Sequence, residues 1–345
     1  MRTRQTSPDD IAADEALDWA RQRIEPALRA AVQTLPENMR HIAGYHFGWT
    51  DEHGQLVEAA RGKALRPALV LLSARAVSST ATAAVPAAVA VELVHNFSLV
   101  HDDVMDQDLT RRHRPTAWNV FGMNAAILAG DALVSLASEV LAGSEHPAAA
   151  SGIRRLNAAV QDLIHGQIMD LAFEQRDDVT LAECQRMANA KTAALLGTAC
   201  ELGATFAGAT SEQAVHLRDF GERLGLAFQH ADDLLGIWGD PETTGKPVFS
   251  DLRSRKKTLP IVAALTSDTA AGRALAQRYH RQTPLKEAEL DEAAQLIEAA
   301  GGKSWSSTQA DVLLESALNH LDAAVTDTST DTLKELASLA THRDQ

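Results

Sequence analysis

Apolar residues recur every three to four positions along most of this chain, starting near residue 14. That spacing lines them up on one side of an α-helix, and no segment shows the alternation expected of a β-strand. Short clusters of Gly, Pro, Asp, Ser and Thr interrupt the periodic segments. The pattern predicts an all-α protein with helices at about 12–34, 63–77, 82–106, 117–142, 148–171, 180–208, 212–237, 258–280, 287–301 and 305–325.

These helical segments follow one another without a dividing linker or a repeat of solenoid length. We therefore expect a single all-α domain over 12–345, preceded by a loose tail at 1–11. The longest irregular segment, 239–257, is rich in Gly, Pro and Lys. We expect it to be a lid or binding loop that is poorly ordered without ligand and closes when ligand binds.

Composition narrows the class of protein. Hydrophobic residues make up 45% of the chain and aromatic residues 4%, which favours Ala- and Leu-rich helices. The net charge of −14 argues against nucleic acid or an anionic membrane surface as a partner. Two cysteines are too few for a disulfide framework, and we see neither a signal peptide nor a stretch near the ~20 apolar residues of a membrane span. We expect a cytoplasmic protein.

The first segment with evident chemistry is HDDVMDQDLTRRHRPT, at the end of a long apolar helix. Burying an unpaired carboxylate there would cost several kcal/mol, so a cation is expected to face Asp102 and Asp103. Asp106 lies one turn beyond Asp102 on the same helix face. Carboxylates on a helix and the forked side chains of Arg111 and Arg112 suit a magnesium-bound diphosphate. The alternative is a helix end capped by acids that form salt bridges with these arginines.

A second aspartate pair occurs in LAFQHADDLLGIWGD, where Gln229 and Asp233 lie one helical turn apart. Capping of a helix end is the weaker explanation here, because apolar residues continue on both sides of Asp232 and Asp233. The chain also contains GKALRP at 62–67 and the pair KT, which is Lys191 followed by Thr192. A basic cluster after the second aspartate pair is either a solvated loop or a source of local attraction for an anion: Lys246, Arg253, Arg255, Lys256 and Lys257.

In their order and spacing these segments resemble the trans-polyprenyl diphosphate synthases, over about 45–325. The matching pieces are GKALRPALVLLSA, ELVHNFSLVHDDVMDQDLTRRHRPT, GDAL, GQIMD, NAKTAALLGTACELGA, FGERLGLAFQHADDLLGIWGDPETTGK and SDLRSRKKTLP. The resemblance implies a ring of antiparallel helices around a deep central cavity, paired as a homodimer. It also implies head-to-tail condensation of isopentenyl diphosphate with an allylic diphosphate.

The resemblance assigns roles residue by residue. It implies that Asp102, Asp103 and Asp106 bind two Mg²⁺ ions and that Asp232 helps to bind a third. Asp233 is grouped among the catalytic residues. The residues matched to the allylic diphosphate are Arg111, Lys191, Lys246 and Lys256. Those matched to isopentenyl diphosphate are Lys63, Arg66, His95 and Arg112. Thr192 and Gln229 match residues that flank the reacting carbons. Metal ions and lysines would neutralise the departing diphosphate, so no Ser/His/Asp set is needed, and we find none.

Two departures from the family pattern bear on this assignment. The family continues its second motif to a further aspartate, where this chain has Gly236. We expect metal binding to survive there, although more weakly. The loop carries Phe249 and Arg255 where the family favours glycine, and these changes are expected to alter how the lid closes.

Product length should depend on the residues just before Asp102. Phe97 and Ser98 precede it by roughly 6 to 7.5 Å along a helix axis. An ideal helical wheel puts Ser98 under Asp102 and turns Phe97 aside by about 100°, so geometry alone does not decide which residue limits the chain. One aromatic residue at this position resembles enzymes that stop at C20. We expect geranylgeranyl diphosphate, with farnesyl diphosphate, a class I terpene cyclase and a noncatalytic prenyltransferase subunit as the alternatives.

Overall fold

The structure, a computed structural model, describes residues 12–57, 59, 62–240, 248–279, 285–325 and 330–341. In this part of the chain helices dominate, and the only strand pair is a hairpin of two residues per strand. The first ten helices are α1 (Ala13–Gln33), α2 (Glu37–His46), α3 (Leu65–Val77), α4 (Val85–Met105), α5 (Ala117–Phe121), α6 (Met123–Ala142), α7 (Ala149–Glu174), α8 (Leu181–Ala188), α9 (Ala194–Phe206) and α10 (Ser211–Trp238). Further helices are Ser250–Arg253, Leu259–Leu265, Ala270–Tyr279, Glu287–Ala299, Gly302–Ala324 and Asp331–Thr341. The predicted all-α class is confirmed.

Several predicted helices are divided in the structure. The segment predicted at 117–142 forms α5 and α6, because Gly122 between them has a φ of 88°, outside the helical range. Residues 189–193 form a π-helical turn between α8 and α9. The helices α2 and Asp331–Thr341 were not predicted. The predicted tail at 1–11 lies outside the described residues.

The chain groups into two compact units. The first comprises Met1–Val160, Thr198–Arg218 and Asp322–Leu336, and the second comprises Gln161–Gly197, Asp219–Leu321 and Ala337–Gln345. The single domain over 12–345 stays a prediction.

In the first unit, α4 is buried on most of its sides. Its apolar run carries Val91, Leu93 and Val94, all without solvent exposure, and it packs mainly against α6 and α3. A helix that is apolar all round is expected at the centre of a helical core, where each face meets another helix. Burial of α4 fixes the position of the aspartates at its C-terminal end.

The second unit has a core that supports the second aspartate pair. Ile237 at the end of α10 packs in a buried cluster with Leu252, Ile261 and Tyr279, which come from the segments that follow it in sequence. This packing holds the residues after 248 against the C-terminal end of α10. Cys184 and Cys200 are buried and free.

Two described helical segments are long and apolar enough to cross a membrane by length and composition, Thr82–Met105 and Met123–Ala142. No such stretch is expected from the sequence alone. In the first, 67% of the most apolar window is buried inside the protein, as in a core helix, and in the second 39% is buried. The second segment, α6, therefore has an apolar face that the described chain leaves exposed.

Candidate active site

The first aspartate motif lies at the C-terminal end of α4. Asp103 is buried with 1% exposure, and its Oδ1 accepts hydrogen bonds from Nε and Nη2 of Arg111, each at 2.7 Å. Its Oδ2 is also buried and has no hydrogen-bond partner among the described residues. Burial raises the pKa of Asp103, and the Arg111 guanidinium opposes that rise. Asp102 and Asp106 are half-buried one turn apart, with the Asp106 amide donating to the Asp102 carbonyl at 2.8 Å.

The salt bridge that the sequence analysis held open as an alternative therefore exists for Asp103 and Arg111. It accounts for one carboxylate oxygen, and the other has no hydrogen-bond partner in the part of the chain that the structure describes. A buried acceptor without a hydrogen donor costs about 1–3 kcal/mol, and a cation would satisfy it. Oxygen donors of this kind are the ligands that Mg²⁺ takes, so the residues fit the implied metal.

A tight hairpin positions the two arginines. Thr110 pairs with Pro115 and Arg111 with Arg114, which leaves Arg112 and His113 as the turn. Both turn residues have positive φ, 52° and 61°, as a type I′ turn requires. Residues other than glycine pay about 1 kcal/mol for this conformation.

The hairpin is held by Arg114, which the sequence analysis left without a role. Arg114 donates to the carbonyls of Tyr45 and Thr50 at 3.2 and 3.0 Å, and its guanidinium lies 4.3 Å from the Tyr45 ring centre. Arg114 therefore has a structural role. It fixes the turn that presents Arg111 and Arg112 to the end of α4.

Arg66, Arg111 and Arg112 form a basic cluster in the first unit. Nη1 of Arg66 donates to Nε2 of His95 at 3.1 Å, which requires the neutral imidazole. Burial, and then the positive charge of Arg66, lower the pKa of His95 well below its usual value. His46, which the sequence analysis missed, has a pKa lowered to about 3 by burial and by Arg112 and Arg111. The positive charge of this region thus comes from arginines, a permanent charge that suits a diphosphate.

The remaining predicted residues of the first unit lie on α4 or at the start of α3. Lys63 is exposed just before α3. Phe97 is buried with 5% exposure, and its ring meets the edge of the His101 ring at a centroid distance of 4.8 Å. Ser98 is also buried, and its hydroxyl donates to the His95 carbonyl at 2.8 Å. Packing thus fixes the Phe97 ring, and a hydrogen bond within α4 fixes the Ser98 hydroxyl.

In the second unit, Lys191 lies in the π-helical turn 189–193. Its Nζ donates to Oδ2 of Asp170 at 2.5 Å. Gly166 allows this turn to approach α7, because a Cβ atom on Gly166 would lie 2.4 Å from the Lys191 amide nitrogen. Single π-turns inside helices occur frequently at functional sites. Nearby in sequence, Gln167 is buried, and neither polar atom of its amide has a hydrogen-bond partner among the described residues.

A chain of hydrogen bonds orients Gln229. The Thr192 hydroxyl donates to Oε1 of Gln229 at 2.6 Å, and Nε2 of Gln229 donates to Oδ1 of Asp233 at 2.7 Å. The other oxygen of Asp233 accepts from the Leu259 amide at 2.8 Å, at the start of the helix Leu259–Leu265. The bonds at both ends fix which way the Gln229 amide points.

The two adjacent aspartates of the second motif have different environments. Asp232 is exposed, whereas Asp233 is buried with 5% exposure and both its oxygens accept hydrogen bonds. Burial, and then the charge of Asp251, raise the pKa of Asp233 well above its usual value. Asp233 thus positions the Gln229 amide through its hydrogen bonds, while the carboxylate of Asp232 is exposed to solvent.

The predicted lid is described only in part. Residues 241–247, including Lys246, lie outside the described residues, so the predicted role of Lys246 and the predicted closing motion stay predictions. Lys256 is half-buried. Phe249 and Arg255 have positive φ, 65° and 54°, which explains why glycine is favoured at both positions. Lys257, which the sequence analysis gave no individual role, is buried, and burial lowers its pKa.

No group of three or more His, Cys, Asp or Glu side chains in the described part of the chain is already arranged as a metal site. A cavity of about 1020 Å³ lies in the second unit, lined mainly by α7, α8 and α10. Its lining includes Ile168, Phe173, Leu226 and Arg223 and none of the predicted site residues. The predicted residues are thus grouped by hydrogen bonds and charge rather than by this cavity.

This is an all-α protein with half-buried arginines beside an aspartate-rich helix end, a combination that suits phosphorylated anions. The polyprenyl synthetase family matches residues 49–297, and the chain belongs to that family. A (2E,6E)-farnesyl diphosphate synthase of Mycobacterium tuberculosis is 49% identical over 311 residues, covering 89% of this chain and 85% of that one. A geranylgeranyl diphosphate synthase of the same organism is 44% identical over 310 residues, covering 90% and 89%.

A solved structure, the polyprenyl synthetase from Streptomyces coelicolor A3(2), matches with a TM-score of 0.91 and 45% identity. The match covers 95% of this chain and 99% of that one. The predicted family is confirmed, and with it the enzyme class: the protein is a trans-prenyltransferase. The two relatives from Mycobacterium tuberculosis bear different product names at similar identity, so similarity does not decide the product.

Proposed function

We propose that this prenyltransferase condenses isopentenyl diphosphate with an allylic diphosphate in the presence of Mg²⁺ and releases geranylgeranyl diphosphate. The observation that carries the proposal is the arrangement at the end of α4. There, the Asp103 carboxylate is buried, and its Oδ2 accepts no hydrogen bond from any described residue. It lies beside arginines whose charge does not depend on pH. Such a combination favours a metal ion and a diphosphate together.

The residues that would hold Mg²⁺ are Asp102, Asp103, Asp106 and Asp232, for up to three ions. Bound Mg²⁺ would neutralise the negative charge that grows on the departing diphosphate. Gln167, whose buried amide has no hydrogen-bond partner among the described residues, would support this role through an ordered water of the metal's hydration shell.

The protein's own side chains account for the remaining steps. Arg66, Arg112 and Lys63 would bind isopentenyl diphosphate, with neutral His95 held in place by Arg66. Arg111 and Lys191, with Lys246 and Lys256 from the loop, would bind the allylic diphosphate. Thr192 and Gln229 form a fixed dipole pair that would flank the reacting carbons. The released diphosphate would accept the proton lost after the new bond forms.

The C20 product is supported by Phe97. Its ring is buried one and a half turns before Asp102 and packs against His101, so its position is fixed. A growing prenyl chain that reaches a fixed aromatic ring has no further room. Farnesyl diphosphate remains the alternative product.

We also propose a homodimer and a cytoplasmic location. The dimer is supported by the exposed apolar side of α6, where Met123, Ile127 and Leu128 expose 49%, 36% and 55% of their surface. Adjacent exposed apolar side chains on one helix mark an interaction surface. Size-exclusion chromatography with light scattering measures the mass of the protein in solution and so tests the dimer. A dimer that persists in the Ile127→Asp variant would contradict this choice of surface.

The proposal is tested by incubating purified protein with Mg²⁺, isopentenyl diphosphate and one of dimethylallyl, geranyl or farnesyl diphosphate. Products are extracted, dephosphorylated and separated by chain length. Elongation to C20 from all three primers supports the proposal, and accumulation of C15 supports the farnesyl alternative. A cyclised hydrocarbon indicates a terpene cyclase. Failure to elongate any primer indicates a noncatalytic subunit.

A matched pair of variants distinguishes a loss of activity caused by a change in the site from one caused by a disturbed fold. Asp103→Asn removes the charge beside Arg111, whereas Asp108→Asn removes a nearby half-buried acid that is outside the assigned set. The proposal expects a loss of about 100-fold or more for the first change and a much smaller loss for the second.

A further inference from the structure

His101 and the glycine of GDAL lie beside the candidate site, and neither has a role in the proposed reaction. Both are in the first unit, His101 on α4 directly before Asp102 and Gly130 in the middle of α6. A Cβ atom on Gly130 would lie 2.3 Å from both Cδ2 and Nε2 of His101. Non-bonded atoms do not approach so closely, so the His101 ring occupies the space that a side chain at 130 would need.

A hydrogen bond fixes this imidazole on α6. Nε2 of His101 lies 3.0 Å from the carbonyl oxygen of Ile127. A carbonyl oxygen can only accept, so Nε2 carries the proton and donates it. The Asp131 carboxylate lies 3.7 Å from the same nitrogen, so a second acceptor also faces it from α6. The ring is therefore held against the backbone of α6 where that helix has no side chain.

The same imidazole packs against Phe97. The centroids of the two rings are 4.8 Å apart and their planes meet at 66°, an edge-to-face arrangement that aromatic rings prefer. Residues 97 and 101 are one turn apart on α4, so their side chains lie on the same face of that helix. Glycine at 130 thus admits the His101 ring, and the His101 ring supports the buried ring of Phe97.

We propose that His101, packed against Gly130, determines product length together with Phe97, because it holds the Phe97 ring in one position. The inference rests on the proposed function, in which Phe97 limits the growing chain. It makes His101 a positioning residue, since it acts through Phe97 and not on the reacting atoms. If His101 only fastened α4 to α6, its removal would change stability and leave the product unchanged.

Removal of the imidazole is the first test. In His101→Ala the Phe97 ring loses its edge-to-face contact, so we expect the fraction of product one isoprene unit longer than the main product to rise about two- to tenfold. His146→Ala is the matched control, because it removes an imidazole that stacks on Phe206 at a centroid distance of 4.4 Å and lies in neither α4 nor α6. Products are separated by chain length, and thermal unfolding checks that each variant is folded at the assay temperature. An unchanged product distribution in His101→Ala, or an equal shift in His146→Ala, overturns the inference.

Gly130→Ala tests the position of the imidazole without changing His101. The added methyl group displaces the ring, so we expect more of the longer product, as in His101→Ala. Gly143→Ala is the control, because a Cβ atom there would meet the Glu139 carbonyl at 3.4 Å, an ordinary contact. In the His101→Ala background, Gly130→Ala should have no further effect on product length, since no ring is left to displace. An equal effect with and without the imidazole overturns the inference.

A second double variant shows whether His101 acts through Phe97. If it does, Phe97→Ala and the double variant Phe97→Ala with His101→Ala should give the same product distribution. Further lengthening in the double variant overturns the inference.

These results also distinguish this inference from the proposed function. If the unchanged protein makes no prenyl product, both fail. If it elongates a primer and Phe97→Ala lengthens the product while His101→Ala does not, only the inference fails.

Discussion

Arg66 donates a hydrogen bond from Nη1 to Nε2 of His95 across 3.1 Å, and the imidazole that receives it is neutral. The histidine therefore adds no charge to the basic cluster, and their hydrogen bond orients the imidazole and the guanidinium relative to each other. A guanidinium carries several N–H donors, and the bond to His95 uses one of them.

This pair predicts a selective effect of Arg66→Lys. A lysine lacks the planar fork and cannot bind His95 and a phosphate in the same geometry. We expect the KM for isopentenyl diphosphate to rise about tenfold, the loss of one charge-assisted hydrogen bond, while the KM for the allylic primer changes little. Steady-state kinetics with each substrate varied in turn measures both. An equal rise in both KM values would contradict the assignment of Arg66 to isopentenyl diphosphate.

The two aspartates of the second motif should respond differently to alanine. Asp233→Ala removes the acceptor of the Gln229 amide and of the Leu259 amide, so we expect a loss of roughly 2–5 kcal/mol in the free energy of unfolding. Asp232→Ala changes an exposed residue and should leave stability within about 0.5 kcal/mol while lowering kcat about 100-fold or more. Urea unfolding and product assays on both variants measure the contrast. Equal losses of stability would show that both side chains are structural.

The chain-length assignment predicts longer products from Phe97→Ala. Removing the ring opens space before Asp102, and we expect products beyond C20 on chromatography. Leu99→Ala is the matched control, because residue 99 is half-buried and about 200° around α4 from Phe97. An unchanged product distribution in Phe97→Ala, or the same shift in Leu99→Ala, would refute the assignment.

The left-handed conformation of Phe249 predicts an unusual order of stability. Phe249→Gly and Phe249→Ala lose the same aromatic ring, but only glycine adopts a φ of 65° without a steric penalty. We therefore expect the glycine variant to be more stable than the alanine variant by about 1 kcal/mol in urea unfolding. At a helical position the order is reversed, since glycine destabilises a helix interior relative to alanine. An alanine variant as stable as the glycine variant would contradict the left-handed backbone at 249.

His230 predicts a pH dependence of stability away from the candidate site. Its Nδ1 lies 2.8 Å from the Ser306 hydroxyl, and burial lowers its pKa to about 4 from the 6.5 expected when unfolded. Between pH 7 and 5 the unfolded chain takes up a proton that folded His230 does not, so this residue makes stability fall as pH falls, by about 2 kcal/mol. His230→Asn should lose less stability over this range. Both proteins contain the same buried carboxyl groups, so the contribution of these groups cancels in the difference between the two free energies of unfolding. If the free energies of unfolding of both proteins changed with pH in parallel, a neutral buried His230 would be contradicted.

The helical class could be predicted from the sequence because the apolar spacing is regular over most of the chain. The points where the helices are divided could not be predicted, because each depends on the backbone conformation of a single residue. The apolar pattern runs on across Gly122, whose φ of 88° divides α5 from α6. The short helix α2 escaped prediction because it follows Pro36 and gains its stability from buried contacts of Ile42 and Tyr45.

The residue types of the candidate site could be predicted from the sequence, but the separate role of each residue could be predicted less well. The helical wheel separates Asp102 from Asp103, but it does not show that Asp233 is buried, because the partner that fixes Asp233 is the amide of Leu259, on a different helix. The sequence likewise gives no reason for Gly236. The fold shows one, because a Cβ atom there would lie 2.1 Å from Oδ2 of Asp251.

The most direct measurement is the incorporation of labelled isopentenyl diphosphate into an extractable prenyl chain as Mg²⁺ is added back to chelator-treated protein. With farnesyl diphosphate as primer, we predict no incorporation in EDTA and full recovery with Mg²⁺, with a C20 chain as the main product. Incorporation that persists in EDTA, or that is absent at every Mg²⁺ concentration, would contradict a metal-dependent prenyltransferase built on these aspartates.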